Sequence, residues 1–300
     1  MAPIKRIIRK QKELEIKVKN KNNILQIEKI LKSKTPAVAL LAPSFIVEFS
    51  YPNIIYRLKK LGFDKVVELT FGAKMINREY HKSLKNSKSL IIASPCPGIV
   101  NIVKNNFPEL KNNLAQIDSP LTSMAKICRK HFPKHKTIFI SPCDFKKLES
   151  NQSKYVDGVI DYDQLKELFK KYKIKKPLFK KKVKFDKFYN DYTKIYPISG
   201  GLGKTANLKG IIKEEEVAVI DGLEEVMKFL KNPDKKIRFL DCLFCSGGCI
   251  NGPHTNKKLS VKKKRKIILK YLKKSKKEDI PEDRKGLIKK AKGIDFTRKV

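Results

Sequence analysis

Three cysteines and three glycines fall within Cys242–Pro253: Cys242, Cys245 and Cys249, with Gly247, Gly248 and Gly252. A thiolate is a nucleophile or a soft metal ligand. Neighbouring glycines let backbone N–H groups approach a bound centre closely. The plainer reading is a tight turn whose cysteines are buried as small hydrophobes. Two more cysteines sit in proline turns, Ser94-Pro95-Cys96-Pro97-Gly98 and Ser141-Pro142-Cys143. Cys128 lies on an apolar helix face and reads as core. The candidate ligands are therefore Cys96, Cys143, Cys245 and Cys249, with Cys242 as packing or an alternate ligand. Zinc sites favour two close C-x2-C pairs. Ligands spread over separate turns fit a four-thiolate iron–sulfur cluster better. His254 is a possible ligand, but a turn histidine beside Pro253 reads as solvent-facing; His81, His131 and His135 show no partner pattern.

These turns need elements to position them. Pro36–Leu41, Lys65–Leu69, Ser89–Ala93 and Thr137–Ile140 are short apolar runs of the kind that fill buried parallel strands. Helical patterns follow at Phe45–Lys60 (interrupted by Pro52), Phe71–Leu84, Ile99–Asn106 and Leu121–His131. Further strands are expected at Val156–Tyr162 and Val217–Asp221. Asp163 is expected to N-cap a helix through Tyr172, and Gly222 to open one through Leu230. Strands alternating with helices predict an α/β fold with mostly parallel sheets flanked by helices. Cys96 and Cys143 fall just after strand C-termini, where open α/β sheets bind ligands.

The expected organisation has three parts. Residues 1–34 form a basic extension, with apolar residues at Ile4, Ile7, Ile8, Leu14 and Ile16, and a lead-in helix through Ile24, Ile27, Ile30 and Leu31. Residues 35–255 form the cysteine-bearing domain, as two lobes joined near 150–195 through the lysine-rich stretch Lys173–Lys187. Residues 256–300 form a basic helix, Lys257–Lys277, and a tail with Ile294-Asp295-Phe296. Ser199–Thr205 is glycine-rich but lacks phosphate-loop spacing, so nucleotide binding is rejected.

The net charge is +39, with 69 Lys and Arg against 30 Asp and Glu. Lysine is dispersed along the chain, with no aromatics interleaved as a stacking platform needs. The charge therefore reads as composition first; nucleic acid or an acidic electron carrier is the partner it would attract. No run approaches the roughly 18 apolar residues of a membrane span, and no secretory signal is evident. A cytoplasmic protein is expected, in which cysteines serve metal or redox chemistry.

In their order along the chain, three turns resemble the large-subunit catalytic domain of iron-only ([FeFe]) hydrogenases: Ser94–Gly98, Ser141-Pro142-Cys143-Asp144-Phe145-Lys146-Lys147-Leu148-Glu149, and Cys245-Ser246-Gly247-Gly248-Cys249-Ile250-Asn251-Gly252. Ala42-Pro43-Ser44, Gly62–Lys65, Phe107–Leu110 and Ser119-Pro120 agree in order. The match covers about Thr35–Pro253. It implies a two-lobed fold with the site in the cleft, and a [4Fe–4S] cluster on Cys96, Cys143, Cys245 and Cys249. It further implies that Cys249 is the position bridging to a diiron unit bearing CO and cyanide. Lys146 matches a lysine that binds a cyanide, and Pro43 and Ser44 match a turn facing the other. Glu79 matches a proton-relay glutamate.

Other family positions are changed. Pro95 stands where the family has a proton-passing cysteine, and proline has no proton to pass. Lys82 and Ala115 replace a relay glutamate and serine, Ser141 replaces a methionine, and Ile99 a tryptophan. The leading expectation is a [4Fe–4S] protein of this family, redox-active or sensory, with its usual proton route dismantled. The alternatives are an active hydrogenase oxidoreductase, and a basic nucleic-acid-binding or iron–sulfur assembly protein with a structural cluster. No ferredoxin-like motif precedes the domain, so a ferredoxin or ferredoxin-domain partner is expected for electron transfer.

Overall fold

The computed structural model describes Glu13 and residues 23–300; the N-terminal extension expected around Ile4–Ile16 lies outside them. The first half runs α1 (Ile24–Lys32), β1 (Ala37–Leu41), α2 (Asn53–Leu61), β2 (Lys65–Glu68), α3 (Thr70–Asn86), β3 (Ile91–Ile92), α4 (Pro97–Asn106), α5 (Pro120–His131), β4 (Lys136–Ser141), α6 (Phe145–Asn151), β5 (Gly158–Asp161) and α7 (Tyr162–Lys171). The second half adds α8 (Gly201–Thr205), β6 (Val217–Asp221), α9 (Leu223–Lys231), β7 (Phe239–Leu243) and α10 (Val261–Ser275).

Two parallel sheets result. One has the order β2-β1-β4-β5; the other is β3-β7-β6. All five residues of β1 are buried, as expected of a central strand covered by helices on both faces. β3 belongs to the first half of the sequence yet pairs with β7, so the second sheet is assembled from distant stretches. Its two faces carry separate cores, one around Tyr80, Leu202 and Phe239, the other around Ile102, Met227 and Leu240.

Several expectations needed revision. The helix expected from Phe45 is a 3-10 turn, Pro43–Val47, followed by α2 from Asn53, because Pro52 has no N–H to continue a helical ladder. Asp161, not Asp163, caps α7: its side chain accepts from Gln164 N while Gln164 Oε1 accepts from Asp161 N. Asp163 instead pairs with Lys166 at 2.6 Å and with His254 at 2.8 Å. β7 has no counterpart among the expected strands, since Asp241 and Cys242 break its apolar run. Lys173–Lys187 contains no helix or strand and leaves Leu178 and Phe179 exposed.

The segment after Ile294 lies along residues 116–118. Asp118 N donates to Phe296 O at 2.8 Å, and Arg298 N to Gln116 O at 3.1 Å. Among the described residues, no helix is long and apolar enough to cross a membrane.

Candidate metal centre

Each candidate cysteine follows the C-terminal end of a parallel strand. Cys96 comes after β3 and is the N-cap of α4, with Pro97 at the first helical position. Cys143 comes after β4, in a turn closed by Ser141, whose hydroxyl accepts from Cys143 N and donates to Cys143 O, both at 3.0 Å. Cys245 and Cys249 follow β7. Their loop is pinned by Gly247 N, which donates to Asp221 at the end of β6 at 2.8 Å. Gly248 takes φ +80°, and a Cβ there would sit 2.8 Å from Pro197 O, so the loop needs glycine at this position.

Phe244 holds the three turns together. Its ring lies edge-on to Phe145 at 4.9 Å, and it occupies the space that a side chain at Gly98 would fill. Cys96, Cys143 and Cys249 line one cavity of about 90 Å³ with Pro43, Ser44 and Lys146. Cys245 is an electrostatic neighbour of Cys143. A larger concavity, about 1180 Å³, lies beside Gly200, Val217 and Val219, and no cysteine lines it.

Burial pushes the Cys143 thiol well up, and the nearby Cys245, Cys96 and Cys249 add to it. Burial and the neighbouring Cys96 likewise push Cys249 up to about 12. Thiolates gathered this closely repel one another unless a cationic centre lies between them. The ring of Tyr196 lines the same cavity, and its buried hydroxyl has no hydrogen-bond partner. Soft donors from three turns and mutual thiolate repulsion both fit a soft polynuclear metal centre.

Lys146 Nζ donates to Pro95 O at 3.0 Å and to Glu149 at 2.5 Å, which brings an ammonium to the cavity. Glu149 is buried and also accepts from Ser119, Thr122 and Arg298. Burial disfavours its charge, but Lys146 and Arg298 outweigh that and hold its pKa below the usual carboxylate value. Ser44, which also lines the cavity, shares a 2.8 Å hydrogen bond with Tyr162. Glu79 pairs with Lys82 on α3 at 2.9 Å and does not line the cavity.

His254 is buried rather than solvent-facing, contrary to the sequence expectation. Nε2 lies 2.9 Å from Asp144 and Nδ1 2.8 Å from Asp163, while its backbone N–H donates to Pro142 O. Asp144, Asp161 and His254 converge closely enough to hold a cation. The buried Lys147 ammonium already bonds two of these carboxylates, Asp161 at 2.7 Å and Asp144 at 3.2 Å. Cys128 and Cys242 are buried in separate cores and do not line the cavity, although the core around Cys242 packs against Cys96. Sequence reasoning missed Tyr196, Arg298 and Asp241, whose pKa burial raises to about 6. Only Asp241 left a trace, as an acid interrupting an apolar run.

The family model for the iron only hydrogenase large subunit, C-terminal domain, matches residues 35–253. The chain belongs to this family. Iron hydrogenase 1 of Clostridium pasteurianum is 29% identical over 279 residues, covering 72% of this chain and 49% of that protein. The cytosolic Fe-S cluster assembly factor NAR1 of Encephalitozoon cuniculi is 24% identical, covering 65% of this chain and 59% of that protein. The chain thus spans about half to three-fifths of these relatives' length. Among solved structures, an [FeFe]-hydrogenase studied for oxygen inactivation of its H cluster superposes with a TM-score of 0.64 at 16% identity, covering 88% of this chain and 90% of that one. [FeFe]-hydrogenase HydA1 from Chlamydomonas reinhardtii gives 0.61 at 15% identity with the same coverage. The iron-hydrogenase-family fold is therefore shared, and the site is judged on its own residues.

Proposed function

We propose that this protein binds a [4Fe–4S] cluster on Cys96, Cys143, Cys245 and Cys249 and uses it in electron transfer or sensing. The observation that carries this reading is the meeting of three separate turns around one cavity with Lys146 beside it. The cluster-binding unit is taken as residues 35–255, between basic flanking segments, and a ferredoxin or ferredoxin-domain protein is the redox partner. When bound, such a cluster supplies one-electron chemistry. The chain's own part is to hold four thiolates at fixed spacing, keep water out with Phe244 and Tyr196, and balance negative charge with Lys146. Anaerobic reconstitution with iron and sulfide tests this. Wild type should take up about four irons per chain, and Cys96→Ser or Cys245→Ser should lose most of them; unchanged iron in both variants would sink the reading.

A second reading is an active hydrogenase with a diiron unit bridged by Cys249. It is favoured by Pro43, Ser44 and Lys146 lining the cavity that Cys249 lines. An ammonium and nearby N–H donors suit anionic diatomic ligands. Pro95, Lys82 and Ala115 argue against it, because they remove the family's proton carriers. Infrared bands of bound CO and cyanide after maturation, with hydrogen turnover, would establish it. The likeness to an Fe-S assembly factor supports a third role, with the cluster structural.

A further inference from the structure

The two proline turns that carry Cys96 and Cys143 follow strands of different sheets, and one guanidinium joins the Cys96 turn to α6, the helix that follows Cys143. Arg298 Nη2 donates to Ser94 O at 2.7 Å, Nη1 to Glu149 Oε1 at 3.3 Å, and Nε to Ile117 O at 3.0 Å. Glu149 Oε2 accepts from Lys146, and Lys146 also donates to Pro95 O at 3.0 Å. The hydrogen bonds therefore close a ring: Arg298, the Ser94–Pro95 carbonyls, Lys146, Glu149 and back to Arg298. Arg298 is itself held in place by the contacts of the segment after Ile294. Arg298 N donates to Gln116 O, Val300 N to Gln116 Oε1 at 2.8 Å, and Lys126 to Asp295 O at 2.8 Å.

We propose that Arg298 is a positioning residue of the metal centre: it clips the Cys96 turn to α6, the helix that follows Cys143, and aims Lys146 at the cavity through Glu149. The proposal rests on the cluster reading for its spectroscopic consequences, though not for the clip itself. Arg298 does not line the cavity and acts through Glu149 and the Ser94 carbonyl. The three acceptors diverge, and only a rigid planar fork reaches all of them, so lysine could replace the charge but not the geometry. Groups that orient the residues around a metal commonly change its retention by about 10–100-fold when removed.

The test compares wild type with Arg298→Met, Arg298→Lys and the neighbouring control Lys299→Ala. In anaerobically reconstituted protein, Arg298→Met is expected to lose its cluster to a chelator about 10–100-fold faster. It should also show a lower reduction potential, because a cation is gone, and a changed electron paramagnetic resonance line shape. Arg298→Lys should keep the wild-type potential yet lose the cluster faster. In metal-free protein, iodoacetamide alkylation of Cys96 and Cys143, resolved by peptide mass, should be about tenfold faster in both Arg298 variants. Lys299→Ala should match wild type throughout. Wild-type bleaching, potential and alkylation in Arg298→Met would overturn the clip; if that variant does not fold, wild-type alkylation and bleaching in Arg298→Lys do so. Should wild type take up no cluster, the cluster reading fails, and the alkylation rates still decide the clip.

Discussion

Both ring nitrogens of His254 face carboxylates, Asp144 and Asp163. Two acceptors call for two donors, an arrangement that favours the imidazolium form. Burial works against that charge, but the Asp144 hydrogen bond and the fields of Asp161 and Asp163 outweigh it and raise the pKa above the ordinary histidine value. The linkage has a definite sign. A raised histidine stabilises fully below its unfolded pKa of about 6.5, and the contribution is lost as pH climbs through the folded value. Asp144 and Asp163 are held low, so their contribution is lost only as pH falls through their folded values. His254→Gln should therefore cost about 1–3 kcal/mol near pH 6 and clearly less near pH 9, read from denaturant melts. An equal loss at both pH values would contradict the imidazolium.

The loop between β7 and α10 carries two of the proposed ligands, Cys245 and Cys249, and its shape depends on backbone that no side chain could share. Gly248→Ala puts a methyl group against Pro197 O and Ser199 N at φ +80°. Strain of about 1–3 kcal/mol should fall on the ligand loop and reduce iron retention. Gly210→Ala has a similar φ, +79°, with nothing within 4 Å, and should leave iron content unchanged. Equal iron retention in the two variants would show that the loop is not the constraint. Most elements were legible because their apolar runs and caps are local: β1, α3 and α5 follow directly from periodicity and from Ser119 before Pro120. β7 was not legible, because Asp241 and Cys242 are polar or small positions whose burial only the β3-β7-β6 pairing decides. The cysteine turns were legible as chemistry. Arg298 was not, since its ring of hydrogen bonds joins residues up to 204 positions apart.

At the scale of the whole molecule, the chain carries a net charge of +39 and gathers its candidate site from three distant turns. Dispersed lysine predicts retention on a polyanion such as heparin that disappears steeply with salt. Two duplexes of unrelated sequence should bind alike, and a marked preference for one would return nucleic acid to the centre of the account. The two sheets meet the cavity with their strand ends, while Arg298, Phe244 and His254 tie the turns to one another across them. The proposal made for that architecture is that four thiolates share one cluster. The most direct measurement is the electron paramagnetic resonance spectrum of anaerobically reconstituted, reduced protein, for wild type and for the single serine variants of Cys96, Cys143, Cys245 and Cys249. The account predicts a reduced [4Fe–4S] signal in wild type that is lost or altered in each of the four variants and kept in Cys242→Ser. A wild-type signal that survives in all four, or that depends on Cys242 instead, would contradict it.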